Sequence, residues 1–315
     1  MTDVRLFVVA GVLALALTPL VRRLAQRAGA LDPPGARKIH SVSVPRLGGV
    51  AVGLAVALAI GLENALGGRG GASAAAWRPV FIGGALIFVL GVWDDLRPVP
   101  PAVKVAVQIA AAGVAIALGV LIARVTVLGR TLDLGPLAVP VTILWIVGLT
   151  NAFNLMDGLD GLATGLAIIA AATCATVAVA RDDVPGGMLL VALLGALCGF
   201  LPHNFNPATI FLGDSGSLVV GYVLAVTAIT GWQKGATALA VAVPLLIFAL
   251  PISETLLSMG RRARGLGPRH VFSADREHMH HRLLGLGLSQ RTAVLLLYGV
   301  SLSLSLLAFV TMRLP

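Results

Sequence analysis

Charge is scarce in this chain and cysteine nearly absent. Of 315 residues, 12% are Asp, Glu, Lys or Arg, about half the share of an ordinary water-soluble domain. With two cysteines a disulfide scaffold is excluded,. Cys174 and Cys198 both fall inside apolar runs, where a free thiol behaves as a small buried hydrophobe,. Aromatic residues make up only 5%, and lysine occurs three times, as Lys38, Lys104 and Lys234. There is no low-complexity tract and no repeat of fixed period, so disordered, collagenous and solenoid architectures are excluded. What the chain has instead is apolar: 57% of residues, with a mean hydropathy of +0.95. A water-soluble fold does not fit, and a polytopic membrane protein does. Gly, Ala, Val and Leu dominate, an alphabet that lets helices approach closely in a bilayer. The apolar runs are continuous, which excludes the ten-residue alternation of porin-type strands.

About 20 apolar residues cross the hydrocarbon core as a helix. Ten runs qualify or come near it: 4–24, 47–66, 80–93, 102–123, 137–150, 162–180, 186–201, 218–230, 236–259 and 292–311. The expectation is an all-α protein of about ten transmembrane helices, a single transmembrane domain over 1–315. The first run reads as a membrane span and not as a cleavable signal, because Arg22, Arg23 and Arg27 follow the apolar stretch,. The net charge of +9 is then a topology signal and not a nucleic-acid footprint,. Loops after odd-numbered runs hold 15 of the 23 Lys and Arg residues. The positive-inside rule puts those loops in the cytoplasm and both termini outside.

All six histidines lie on or beside the same loops, as do Asp94, Asp95, Asp157, Asp160 and Asp214. A solvated loop face has no reason to gather every histidine, so one composite cytoplasmic site is expected. Asp94-Asp95 closes the third run; adjacent carboxylates at a membrane boundary are costly unless a cation or proton compensates them. Two ordinary acids at a solvated loop start are the plain alternative. Lys104 and Gln108, one turn apart on the next run, favour an anionic ligand. The fifth loop sets Asn151, Asn154, Asp157 and Asp160 at intervals of three, a spacing that could share a helix face and does not match an EF-hand. The seventh loop carries His203, Asn206 and Gly213-Asp214-Ser215-Gly216. Its glycines permit close backbone approach to phosphate at a helix start, and the context of a serine nucleophile elbow is lacking. In the ninth loop, His278-Met279-His280-His281 is flanked by Arg276 and Arg282. Zinc ligation is the first thought, but surrounding arginines repel a metal and suit phosphate oxygens.

These residues together resemble the integral-membrane polyprenyl-phosphate N-acetylhexosamine-1-phosphate transferases. Five motifs match in order: Asp32-x-Pro34-x-x-Arg37-Lys38-x-His40 with Pro45-Arg46-x-Gly48-Gly49; Asp94-Asp95 with Lys104; Asn151-x-x-Asn154-x-x-Asp157-Gly-x-Asp160-Gly; Gly213-Asp214-Ser-Gly-Ser; and Ala274-Asp275-Arg276-x-His278-x-His280-His281-Arg282. His278-Met-His280-His281 is similar to the UDP-N-acetylglucosamine branch, whereas the phospho-N-acetylmuramoyl-pentapeptide transferases, the alternative branch, carry an unbroken histidine run. Ser43 and Glu254 depart from the pattern, which often has Pro and Asp there.

The resemblance implies transfer of N-acetylglucosamine-1-phosphate from UDP-N-acetylglucosamine to a polyprenyl phosphate, releasing UMP and starting a cell-envelope polysaccharide. It implies Mg2+, with Mn2+ able to substitute. Asp214 and Asp157 would be metal ligands, and Asp94, Asp95, Asp157 and Asp160 catalytic. Lys38, His40, Arg46, Lys104, Asn151, Asn154, Asn206, His278, His280, His281 and Arg282 would bind substrate. The partners would be the nucleotide sugar, the lipid phosphate and the bilayer of the inner or plasma membrane, without nucleic acid; relatives include homodimers. A lipid-linked sugar transporter is the rival from another class. Transporters place charges within spans near the midplane, whereas here the acids sit at span ends on one face and only Glu63 and Glu254 among them fall within spans.

Overall fold

A computed structural model of the chain describes residues 2–34, 42–66, 74–127, 130–232, 242–265 and 279–313. The long apolar runs form helices: α1 (Thr2–Ala28), α2 (Gly48–Ala65), α3 (Ala74–Leu96), α4 (Pro101–Ala117), α5 (Ala138–Met156), α6 (Leu162–Ala180), α7 (Val184–Asn204) and α8 (Asp214–Trp232). Then come α9 (Ala242–Ile247), α10 (Ala249–Gly265), α11 (Met279–Gly285) and α12 (Gln290–Arg313). Among the described residues eight helices are long and apolar enough to cross a membrane, and Pro101–Ala117 is a shorter apolar one. This is a polytopic membrane protein. Among the described residues, strands are confined to two antiparallel pairs: β1 (Leu31–Asp32) with β2 (Val44–Pro45), and β3 (Arg124–Val127) with β4 (Arg130–Asp133).

Two expected runs are cut differently. The run over 102–123 is helical only to Ala117; Gly119 turns the chain at φ 96° and the β3–β4 hairpin follows. The run over 236–259 is not one helix. Among its described residues it breaks at Phe248, between α9 and α10. Pro251 has no N–H to offer the carbonyl of Ile247, four residues earlier, so the ladder lapses there. It resumes where the Ile252 N–H donates to the Phe248 carbonyl at 3.0 Å. α10 then continues through Arg261, Arg262 and Arg264.

α8 is the innermost helix, packed against α2, α3, α5, α6 and α7, while α1 lies along α7 and α12 along α6 and α9. Small residues make this closeness possible. A Cβ on Gly49 would collide with the backbone at Gly216, which is how α2 reaches the first turn of α8,. Large apolar side chains on the outer faces, such as Val4, Leu58, Val89 and Leu144, are exposed, as a bilayer-facing surface requires.

Candidate active site

The start of α8 organises the site. A helix leaves its first backbone N–H groups without intrahelical partners. Here the Asp95 carboxylate takes two of them: Oδ1 accepts the Asp214 N–H at 2.9 Å, and Oδ2 the Ser215 N–H at 3.0 Å. Asp95 reaches them because α3 does not stop at Trp93, as the apolar run suggested, but stays helical through Leu96. Successive helical residues point about 100° apart. Asp94 therefore faces another neighbour, α4, where its Oδ2 lies 2.8 Å from the Lys104 ammonium; its Oδ1 accepts the Val99 N–H at 2.7 Å. Gly213, just before α8, has φ 71°, and a Cβ there would lie 2.6 Å from Asp95 Oδ2. Only glycine fits both the left-handed backbone and the close approach.

Asp214 is the convergence point. Its Oδ2 is 2.7 Å from Lys104 Nζ, and its Oδ1 accepts a hydrogen bond from Asn154 Nδ2 at 3.0 Å. Asn154 Nδ2 also donates to Ser217 Oγ at 3.0 Å, and Ser217 Oγ–H donates to the Gly213 carbonyl at 2.9 Å. Asp157 Oδ2 accepts the Gly213 N–H at 3.1 Å. Burial pushes the Asp157 carboxyl up to about 7, helped by the negative charges of Asp214 and Asp95 and opposed by Arg46 and the Gly213 N–H,. The α1–α2 segment closes the far side. The Phe211 N–H donates to the Pro45 carbonyl, and the Gly48 and Gly49 N–H groups donate to Phe211 and Leu212. Arg46 is held nearby by its own N–H on the Ala30 carbonyl and by an ion pair to Asp32 at 3.7 Å.

The interval of three in the fifth loop does not become one face. α5 ends at Met156, so Asn151 and Asn154 are helical while Asp157 and Asp160 lie in the turn beyond. Asn151 pairs side chain to side chain with Gln108, its Nδ2 2.5 Å from Gln108 Oε1. Asp160 meets neither Asp157 nor Asp214 through a hydrogen bond among the described residues. Its Oδ2 accepts from Asn206 Nδ2 at 2.9 Å and from the Ala208 N–H at 3.0 Å. Lys38, His40 and His278 lie outside the described residues; His280 and His281 sit on α11, whose last-turn Arg282 is exposed. Ser217, through Asn154, and Gln290, through Asn206, join this network although neither was among the expected site residues. Ser217 alone carried a signal, as the last residue of the Gly-Asp-Ser-Gly-Ser motif.

A divalent cation fits the donor set. Among the described residues no three His, Cys, Asp or Glu side chains form a ready-made cage. Mg2+ does not need one, since it is commonly held by one or two carboxylates together with waters and substrate phosphates. The Lys104 ammonium already sits between Asp94 and Asp214, so this cluster of acids selects positive charge.

Comparison with known proteins fits this geometry. The family described as Glycosyl transferase family 4 matches residues 77–232, the stretch from α3 through α8. A probable undecaprenyl-phosphate N-acetylglucosaminyl 1-phosphate transferase of Bacillus subtilis is 36% identical over 306 residues, covering 96% of this chain and 83% of the relative. The chain belongs to glycosyl transferase family 4. A decaprenyl-phosphate N-acetylglucosaminephosphotransferase of Mycobacterium tuberculosis is 37% identical, covering 92% of this family 4 chain and 77% of its own length. A phospho-N-acetylmuramoyl-pentapeptide-transferase of Staphylococcus haemolyticus is 37% identical over 145 residues, only 46% of the chain. Asp94, Asp95, Lys104, Asn154, Asp157 and Asp214 all fall inside the matched family segment.

Proposed function

We propose that this family 4 enzyme transfers N-acetylglucosamine-1-phosphate from UDP-N-acetylglucosamine to a polyprenyl phosphate, releasing UMP and leaving a lipid-diphospho-sugar for a cell-envelope polysaccharide. The observation that carries the chemistry is the meeting of Asp94, Asp214 and Lys104 from three helices at one end of the bundle. Both reactants are anions, and such a cluster can hold a cation and an ammonium where their charges must be offset. The near full-length likeness to two N-acetylglucosaminyl phosphate transferases supports the sugar.

Asp214 and Asp157 would hold Mg2+, or Mn2+ in its place, which when bound would offset the charge of the two substrates' phosphates. The protein's own residues set the geometry. Asp95 holds the start of α8 through the backbone N–H groups of Asp214 and Ser215, so the Asp214 side chain has a fixed origin. Lys104 offsets one of the two negative charges of Asp94 and Asp214 and would meet a phosphate oxygen. Asp94 orients the acceptor phosphate or takes its residual proton. That phosphate needs little further activation, because the second pKa of a phosphomonoester is about 6. Direct attack on the sugar-linked phosphorus is therefore favoured over a carboxylate nucleophile. The histidines of α11 would meet the diphosphate. The active face is cytoplasmic, both termini lie outside, and 1–315 is a single catalytic domain in the inner or plasma membrane.

Purified enzyme in detergent, given polyprenyl phosphate and a panel of UDP-sugars, should release UMP with UDP-N-acetylglucosamine and yield a lipid product of matching mass. Turnover of the muramoyl-pentapeptide nucleotide alone would reverse the sugar assignment, and UMP release from no nucleotide sugar would remove the transferase chemistry. With lipid phosphate stripped away, direct attack gives no UMP above background. A burst equal to the enzyme present, with sugar phosphate left on the protein, would establish a covalent intermediate instead.

A further inference from the structure

Asn206 is the hub of a contact between two acid-bearing loops and the start of α12. Its side-chain amide has two N–H groups and uses both: one to Asp160 Oδ2 at 2.9 Å, one to Gln290 Oε1 at 2.8 Å. Its backbone carbonyl accepts from Arg291 Nε at 3.0 Å. Asp160 belongs to the turn that carries Asp157, and Asn206 to the loop that leads into Gly213-Asp214. One turn of α12 is thus bonded to the loop carrying Asp214 and, through the Asn206 amide, to the turn carrying Asp157. A second tie lies further along the same helix, where the Tyr298 hydroxyl donates to the Gly161 carbonyl at 2.5 Å.

α12 is also the near neighbour in sequence of α11, which bears His280 and His281. Only residues 286–289 separate them. That connection is closed by its own hydrogen bonds: the Gly287 N–H reaches the Leu284 carbonyl at 2.9 Å, and the Thr292 N–H reaches Ser289 Oγ at 3.2 Å. A short, internally bonded turn transmits position. Whatever fixes the first residues of α12 fixes where α11 leaves off.

We propose that Gln290 and Arg291 are positioning residues: by latching the start of α12 to Asn206, they set the register of the His280–His281 helix against the loops that carry Asp157 and Asp214. The proposal rests on those histidines meeting the diphosphate of the nucleotide sugar. It requires Gln290 and Arg291 to act on binding through α11 and not on the carboxylates themselves, and that separates it from a merely structural contact.

The full-length enzyme in detergent with Mg2+ and UDP-N-acetylglucosamine decides it by a double-mutant cycle on the dissociation constant. Gln290→Leu should weaken nucleotide-sugar binding by about tenfold, and by less than twofold when added to the His280→Ala/His281→Ala variant. Effects that multiply in full, or a Gln290→Leu variant that loses turnover with its dissociation constant unchanged, would overturn the latch. Should Gln290→Leu fail to fold, Arg291→Ala, at an exposed position, is judged by the same two criteria. Spin labels at Leu286 and Arg97, both exposed, report the register without any ligand. Gln290→Leu or Arg291→Ala should broaden their distance distribution. An unchanged distribution sinks the latch, whereas a broadened one in an enzyme that binds no UDP-sugar leaves the latch standing and sinks the transferase reading.

Discussion

Asp95 caps the helix that Asp214 begins, one carboxylate accepting the N–H groups of Asp214 and of Ser215. Two neighbouring acids on α3 thereby divide their work: Asp95 looks inward to the backbone and is nearly fully buried, while Asp94 looks across to Lys104.

That division separates two substitutions. Asp95→Ala removes a cap and strands two N–H groups in a buried place, a loss of about 1–3 kcal/mol. Thermal unfolding in detergent should fall by several degrees, with activity falling alongside. Asp94→Asn should leave the unfolding temperature near that of the parent and lower turnover by about 100-fold or more. Equal behaviour of the two variants in both measurements would contradict the assignment.

Lys104 is the shared counter-charge of Asp94 and Asp214. Lys104→Met leaves two carboxylates facing each other without a cation. Turnover should drop by about 100-fold. Added Mg2+ should raise the unfolding temperature of Lys104→Met more than that of the parent, because in the variant the metal is the only relief of the repulsion. An equal Mg2+ effect on both proteins would show that the ammonium does not hold this place.

Asp157 gives a pH dependence with a definite sign. Its carboxyl is pushed up to about 7 in the metal-free protein, above the ordinary 3.8 that it regains on unfolding. The folded form thus favours the proton, and the metal-free protein should lose stability as pH rises from about 4 through about 7. A metal needs the ionised carboxylate. The Mg2+ concentration for half-maximal activity should therefore rise about tenfold per pH unit below 7 and level off above it. A flat Mg2+ requirement between pH 5.5 and 8 would exclude Asp157 as a ligand. Asp214→Asn, which keeps the shape but loses the charge, should abolish transfer, as EDTA should until Mg2+ or Mn2+ is restored.

Topology can be read by thiol labelling. With Cys174 and Cys198 replaced by Ala, single cysteines at Ser289 and at Thr131, both exposed, should react from opposite sides of the membrane. Ser289 should be reached only after the bilayer is opened, and Thr131 in intact cells. Labelling of both from outside would overturn the positive-inside assignment.

The sequence by itself determined the membrane class and the set of acids, because both are matters of composition along the chain. A helix that must bury its backbone in hydrocarbon announces itself as a long apolar run. Asp94, Lys104, Asn154, Asp157 and Asp214, each set at the end of such a run, were legible for the same reason. Local spacing misled where the chain stopped being regular. Asn151, Asn154, Asp157 and Asp160 recur every three residues, yet α5 ends at Met156, so Asn151 turns to Gln108, Asn154 to Asp214 and Asp160 to Asn206. Pro251 was visible in the apolar run over 236–259, but its effect on the hydrogen-bond ladder there appeared only as the break at Phe248. Tertiary structure alone decided that Asp95 is a cap, that one ammonium serves Asp94 and Asp214, and that Gln290 reaches Asn206 across 84 residues of chain. Those relations depend on which helices pack together. Helix packing is fixed by the fit of many small residues such as Gly49 and Gly216, and no single position in the sequence records it,.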